Sequence, residues 1–111
     1  GLPTPPTPPI DRFLKHGDSF SFGKEKVEVI HTPGHTPGSV SFYVPAFGLL
    51  TGDTLFAGSV GRTDLWGGSH PTLINSIQKR LLSFPDETAV LPGHGPRTTI
   101  GRERQSNPFL V

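Results

Sequence analysis

Apolar and polar residues alternate over two stretches that each read as a β-hairpin. Ser19 to Phe22 and Glu25 to His31 are short β-type runs on either side of a Gly23-Lys24 turn, and Val27, Val29 and His31 alternate with Glu28 and Ile30. Ser39 to Val44 sets Val40, Phe42 and Val44 against Ser39, Ser41 and Tyr43. After Pro45 an apolar strand resumes from Gly48 to Thr51 and stops at Gly52-Asp53. The period then changes. From Pro71 onward Leu73, Ile74, Ile77, Leu81 and Leu82 recur at helical spacing with Gln78, Lys79 and Arg80 opposite, and a proline suits a first helical turn. Pro85 ends this helix, Thr88 to Leu91 reads as a short buried strand, and a brief C-terminal helix is expected over Thr99 to Gln105.

Two segments have no such period. Residues 53 to 70 are Gly-rich, which in a compact domain points to a loop held around a site. Pro92-Gly93-His94-Gly95-Pro96 is a loop that no regular element can contain. Five of the first nine residues are proline, so residues 1–10 are expected to be an extended connector and residues 11–111 one domain.

Composition narrows the chemistry. With 111 residues there is room for one domain, and no apolar run approaches the roughly 20 residues of a membrane span. We expect a soluble, cytoplasmic protein with no membrane partner. The net charge is +1 with scattered basic residues, which leaves no footprint for nucleic acid, and Arg97, Arg102 and Arg104 read as a solvated helix face. Zero cysteines exclude disulfides, thiolate nucleophiles and cysteine-containing zinc sites, so His and carboxylates are the available metal ligands. There is no G-x-S-x-G elbow and no phosphate-cradling loop.

Strand-type runs end in polar, Gly-rich loops that carry a His or an Asp: His31-Thr-Pro-Gly-His35, Gly52-Asp53 and Gly93-His94-Gly95. Loops at one edge of a sheet converge, so His35, Asp53 and His94 can share a pocket although 18 and 41 positions separate them. Imidazoles and a carboxylate suit zinc, iron or manganese, whereas the plainer alternative is that glycines there merely satisfy turn geometry. His31 and His35 have the i, i+4 spacing of a zincin helix, but Thr32-Pro33-Gly34 cannot be helical and no Glu follows His31. His31 therefore reads as a strand end, His70 as a helix start and His16 as a loop residue. Arg62 and Asp64 read as a local ion pair that braces the long loop.

HTPGHTPGSVSFY, LLTGDTLF, GRTDLWGG and PGHGPRTTIGRERQSNPFL, in that order from about Asp18 to Leu110, together resemble the metallo-β-lactamase fold family, in particular its small glyoxalase II-type branch. That resemblance implies an α/β fold: the C-terminal half of an αββα sandwich, mainly antiparallel, with one covering helix. It implies that His35 ligates one metal, that Asp53 bridges two and is catalytic, and that His94 ligates the second. The cofactor implied is two zinc ions, with iron or manganese as alternatives. The activity implied is hydrolysis of a small-molecule thioester, of the hydroxyacylglutathione type. An iron-dependent persulfide dioxygenase and a non-catalytic half-domain are the rival readings.

The family opens its metal site with a T-H-x-H-x-D-H motif, and the five histidines here, His16, His31, His35, His70 and His94, include no H-x-H pair. One imidazole per metal plus a shared carboxylate falls short of the three protein ligands of an ordinary catalytic zinc. We therefore expect this chain to be inactive alone and to need a complementary N-terminal half from the same protein or another chain; the rival half-domain reading would add an exposed apolar core face.

Overall fold

The computed structural model describes residues 16–64 and 66–110; the proline-rich connector expected over 1–10 lies outside them. Strands β1 (Ser19–Phe22) and β2 (Glu25–His31) form the first hairpin, and β3 (Val40–Val44) and β4 (Gly48–Gly52) the second. A two-stranded ribbon follows, β5 (Leu55–Phe56) with β6 (Ser59–Val60). Then come helix α1 (His70–Ser76), strands β7 (Ala89–Pro92) and β8 (Thr98–Thr99), and helix α2 (Ile100–Ser106).

The main sheet has the order β1-β2-β3-β4-β7-β8. Its pairings are antiparallel except β4 with β7, which run parallel because the chain crosses over through α1 before rejoining the sheet. The architecture is thus the mixed, mainly antiparallel α/β arrangement expected. Two local features differ from the expectation. The long loop contains the β5–β6 ribbon and Thr98–Thr99 adds an edge strand, whereas α2 lies where the C-terminal helix is expected, so that two helices cover the sheet where the resemblance alone implied one. Dipeptide strands are too short to show a period, which is why the sequence pattern conceals them.

The stretch from Pro71 to Leu82 is helical throughout but not α-helical throughout. After α1 the backbone widens into a π-type turn over Ile77–Leu81, closed by the Leu82 N–H donating to the Ile77 carbonyl at 2.8 Å. This turn keeps Leu73, Ile77 and Leu81 fully buried on one side. They pack with Ile30, Leu49, Leu55, Val90 and Ile100 in a single core between the sheet and the helices.

Alternation along the strands sorts the sheet into two faces. Ile30, Tyr43, Leu49 and Val90 face the helices. Val27, Phe42, Val44, Leu50 and Leu91 face away, with Phe20 from β1 edge-on to Phe42 at 6.3 Å between ring centroids. That second face is a shallow apolar groove of about 330 Å³, and no element among the described residues covers it. No helix among them is long and apolar enough to cross a membrane.

Candidate metal centre

Strand direction assembles the site. Two antiparallel pairings separate β2 from β4, and β4 is parallel to β7, so β2, β4 and β7 all end at the same edge of the sheet. Each continues there into a loop carrying one predicted residue: His35 beyond β2, Asp53 directly after β4 and His94 two positions after β7. The parallel register pairs Gly52 with Pro92, and the Gly93 N–H donates to the Gly52 carbonyl at 2.9 Å, which sets Asp53 and His94 side by side. Carboxyl ends of neighbouring strands are where open α/β sheets bind ligands.

The three side chains meet around the Asp53 carboxylate. His35 Nε2 lies 3.9 Å from Asp53 Oδ2, and His94 Nε2 lies 3.6 Å from Oδ1. Each imidazole thus faces its own carboxylate oxygen, at a distance too long for a hydrogen bond. His35 is mostly buried at 18% side-chain exposure, Asp53 is half-exposed at 52%, and His94 is open to solvent at 82%. His35 Nδ1 is 2.8 Å from the Arg62 carbonyl oxygen, which can only accept, so Nδ1 donates and Nε2 is left to turn toward Asp53. His94 is set by a ring contact instead: Phe56 stacks on it at 6.5 Å between centroids and 25° between planes.

The His31–His35 loop is clamped from above by the helical segment. Ser76 Oγ donates to the Pro33 carbonyl at 2.7 Å, Arg80 Nη1 to the His31 carbonyl at 2.7 Å, and the Ser69 N–H to the Gly34 carbonyl at 2.7 Å. Gly34 has φ 139°, and a Cβ there would overlap the backbone of Leu73. Only glycine allows α1 this close to the loop. Gly61 plays the equivalent part on the other side, where a Cβ would overlap the Asp53 carbonyl oxygen. Beneath the loops, buried hydroxyls are paired, Thr32 with Ser41 at 3.0 Å and with Thr54 at 3.4 Å, while Thr51 donates to the Leu55 carbonyl.

The remaining histidines stand apart from this cluster. His31 ends β2 with Nε2 donating to the Pro37 carbonyl at 3.0 Å, His16 Nδ1 accepts from the His31 N–H, and His70 begins α1. Arg62 and Asp64 form a two-pronged ion pair at 2.8 and 2.9 Å. The guanidinium hydrogen bonds and charge hold the Asp64 carboxyl below the usual carboxylate range and raise Arg62 in turn. Arg104 departs from the solvated-face reading: it pairs with Asp86 at 3.1 Å and donates to the Leu82 carbonyl at 2.6 Å, tying α2 to the end of the helical segment.

The donor set fits a two-ion centre in kind, since two imidazoles flank opposite oxygens of one carboxylate. It falls short in number. Among the described residues no group of three or more His, Asp or Glu side chains is placed to hold an ion by itself.

Residues 2–94 match the sequence model of the metallo-beta-lactamase superfamily. The chain belongs to that superfamily. This member of the metallo-beta-lactamase superfamily is similar to the hydroxyacylglutathione hydrolase GloC of Haemophilus influenzae, at 43% identity over 93% of the chain and 52% of the relative. Among solved structures it is similar to ETHE1 from Myxococcus xanthus, with a TM-score of 0.81 at 37% identity over 86% of this chain and 44% of that one. It is likewise similar to TTHA1623 in a di-iron-bound form, with a TM-score of 0.79 at 51% identity over 87% of this chain and 47% of that one. The chain spans about half the length of the curated relatives it matches.

Proposed function

We propose that this chain supplies the C-terminal half of a metal-dependent thioester hydrolase of the hydroxyacylglutathione type. One observation carries the reading: His35 and His94 face opposite oxygens of Asp53, so a single carboxylate is placed to bridge two ions with one imidazole for each. Similarity to the GloC relative supports the substrate class. Zinc is the ion we assign, with iron or manganese as alternatives. When bound, such ions acidify a water toward a pKa of about 7 and polarise the thioester carbonyl.

The protein's own part is positional. Half-exposed Asp53 is within reach of a small substrate, and its carboxylate would accept a hydrogen bond from the attacking water and orient it. The Arg62 carbonyl keeps the proton of His35 on Nδ1 and so leaves the Nε2 lone pair free to ligate an ion. Water adds to the carbonyl carbon, the carbon–sulfur bond breaks, and the products are a carboxylic acid and a thiol.

The missing ligands would come from a complementary N-terminal half, and the open sheet face is where we place it. Phe22, Phe47 and Leu50 stay exposed there at 46, 60 and 39%, on a chain half as long as its relatives. A contiguous apolar surface of this kind marks an interface.

The deciding measurement is zinc content together with hydrolysis of S-lactoylglutathione, by this chain alone and after addition of a complementary half. Stoichiometric zinc and turnover only in the mixture are expected. Tight zinc and turnover by the lone chain would refute the split site, and oxygen uptake with a persulfide in place of hydrolysis would favour the dioxygenase.

A further inference from the structure

Among the described residues the most deeply buried ionisable side chain lies outside the donor set. Glu103, on α2, is 1% exposed. Its Oε2 accepts from Thr98 Oγ1 at 2.6 Å, and its Oε1 accepts from the Gly58 N–H at 2.8 Å and from Asn107 Nδ2 at 2.9 Å. Asn107, itself fully buried, also donates to the Ser59 carbonyl at 3.1 Å and accepts from the Phe109 N–H at 2.9 Å. Gly58 and Ser59 are in the tip of the β5–β6 ribbon, 45 and 48 positions from their partners Glu103 on α2 and Asn107 just after it. A carboxylate held by three donors and sealed from water is a costly thing to build, and a fully satisfied network of this kind rigidifies what it touches.

What it touches is the segment that sets both imidazoles. The ribbon carries Phe56, which stacks on His94, and leads through Val60 and Gly61 to the Arg62 carbonyl that accepts from His35. Gly61 sits against the Asp53 backbone on the way, with its N–H donating to the Thr54 carbonyl at 3.0 Å. We infer that Glu103 and Asn107 form a buried latch which, by holding the β5–β6 ribbon, positions the rings of His35 and His94 on either side of Asp53. Neither latch residue touches the site, so both are positioning residues. The inference deepens the metal-centre reading and rests on it for its effect on zinc, whereas its effect on the two rings is independent of any ion.

The test is a long-range ¹H–¹⁵N spectrum of the histidine rings in the metal-free 111-residue chain and in Glu103→Gln. Glutamine is nearly isosteric but replaces an acceptor with an amide that points donors at donors. The His35 and His94 resonances are expected to move and to broaden, while those of His16 and His31 stay in place. Phe56→Leu should move His94 and leave His35. In zinc titrations followed on the same resonances after addition of a complementary half, Glu103→Gln should need about tenfold more metal than the wild-type chain.

A folded Glu103→Gln whose His35 and His94 resonances superimpose on the wild type would overturn the latch. Should Glu103→Gln fail to fold, Thr98→Val, which removes one donor to the same carboxylate, must move the His35 and His94 resonances while His16 and His31 stay in place, and its failure to do so would overturn the latch equally. Zinc that shifts neither ring in the wild-type chain paired with a complementary half would sink the metal centre alone, because the latch is judged on the metal-free spectra.

Discussion

Asp53 shows how much of a site can depend on atoms that are missing. Its backbone is approached by Gly61 so closely that a single methyl group would overlap its carbonyl oxygen, and that methyl would lie 3.5 Å from His35 Cβ. Gly61→Ala is therefore expected to push the loop outward, destabilising the fold by about 1 to 3 kcal/mol as overpacking does. Thermal unfolding reads the loss, and zinc titration reads the displaced His35. The Arg62–Asp64 pair directly after Gly61 is a different kind of contact. Both side chains are exposed, so the pair shapes the loop without adding materially to stability. Of the residues that bear on the site, His35, Asp53 and His94 were legible because each stands in a Gly-rich loop after a strand-type run. Phe56, Gly61 and Glu103 were not. Glu103 did leave a signal, since Ile100, Glu103 and Asn107 recur at i, i+3 and i+7 and so share one helix face, the buried one.

Among the elements, α1 and its π-type continuation have the most dependents. Leu73 is fully buried, meets the Gly34 backbone on one side and packs into the core on the other. Leu73→Ala is expected to cost about 2 to 5 kcal/mol, a large part of a domain's total stability, and to loosen the His31–His35 loop together with the core. Chemical denaturation measures the first effect and amide exchange at Gly34 and His35 the second. The hairpins and the helix were legible from period and punctuation: alternation at 2, recurrence near 3.6, and glycine or proline at the boundaries. The widening at Ile77–Leu81 was not, because an apolar pattern of Leu73, Ile77 and Leu81 fits an α-helix equally well. The β5–β6 ribbon was missed for a related reason, since two residues per strand carry no pattern and pairing alone defines them.

At the scale of the whole molecule the governing fact is that the sheet has two apolar faces and that, among the described residues, helices cover only one of them. Placing a charge on the open face should leave the folded core intact and spoil association. Leu50→Glu is accordingly expected to keep wild-type cooperativity in denaturation, to bind less hydrophobic dye, and to abolish pairing with a complementary half in analytical ultracentrifugation. Unfolding of Leu50→Glu would mean that this face belongs to the chain's own core.

By itself the sequence determined the strand and helix segments, the donor types and the loops that bear them, and its resemblance to the family implied the class of fold. The former follow from local backbone preference, hydrophobic period and side-chain chemistry, which are properties of neighbouring residues. Tertiary structure alone decided that β4 and β7 pair in parallel, and so that Asp53 and His94 emerge side by side. It also decided that a carboxylate on the last helix reaches the ribbon beneath the site. Such contacts join residues more than 40 positions apart, and their energy lies in burial and geometry that no local pattern records.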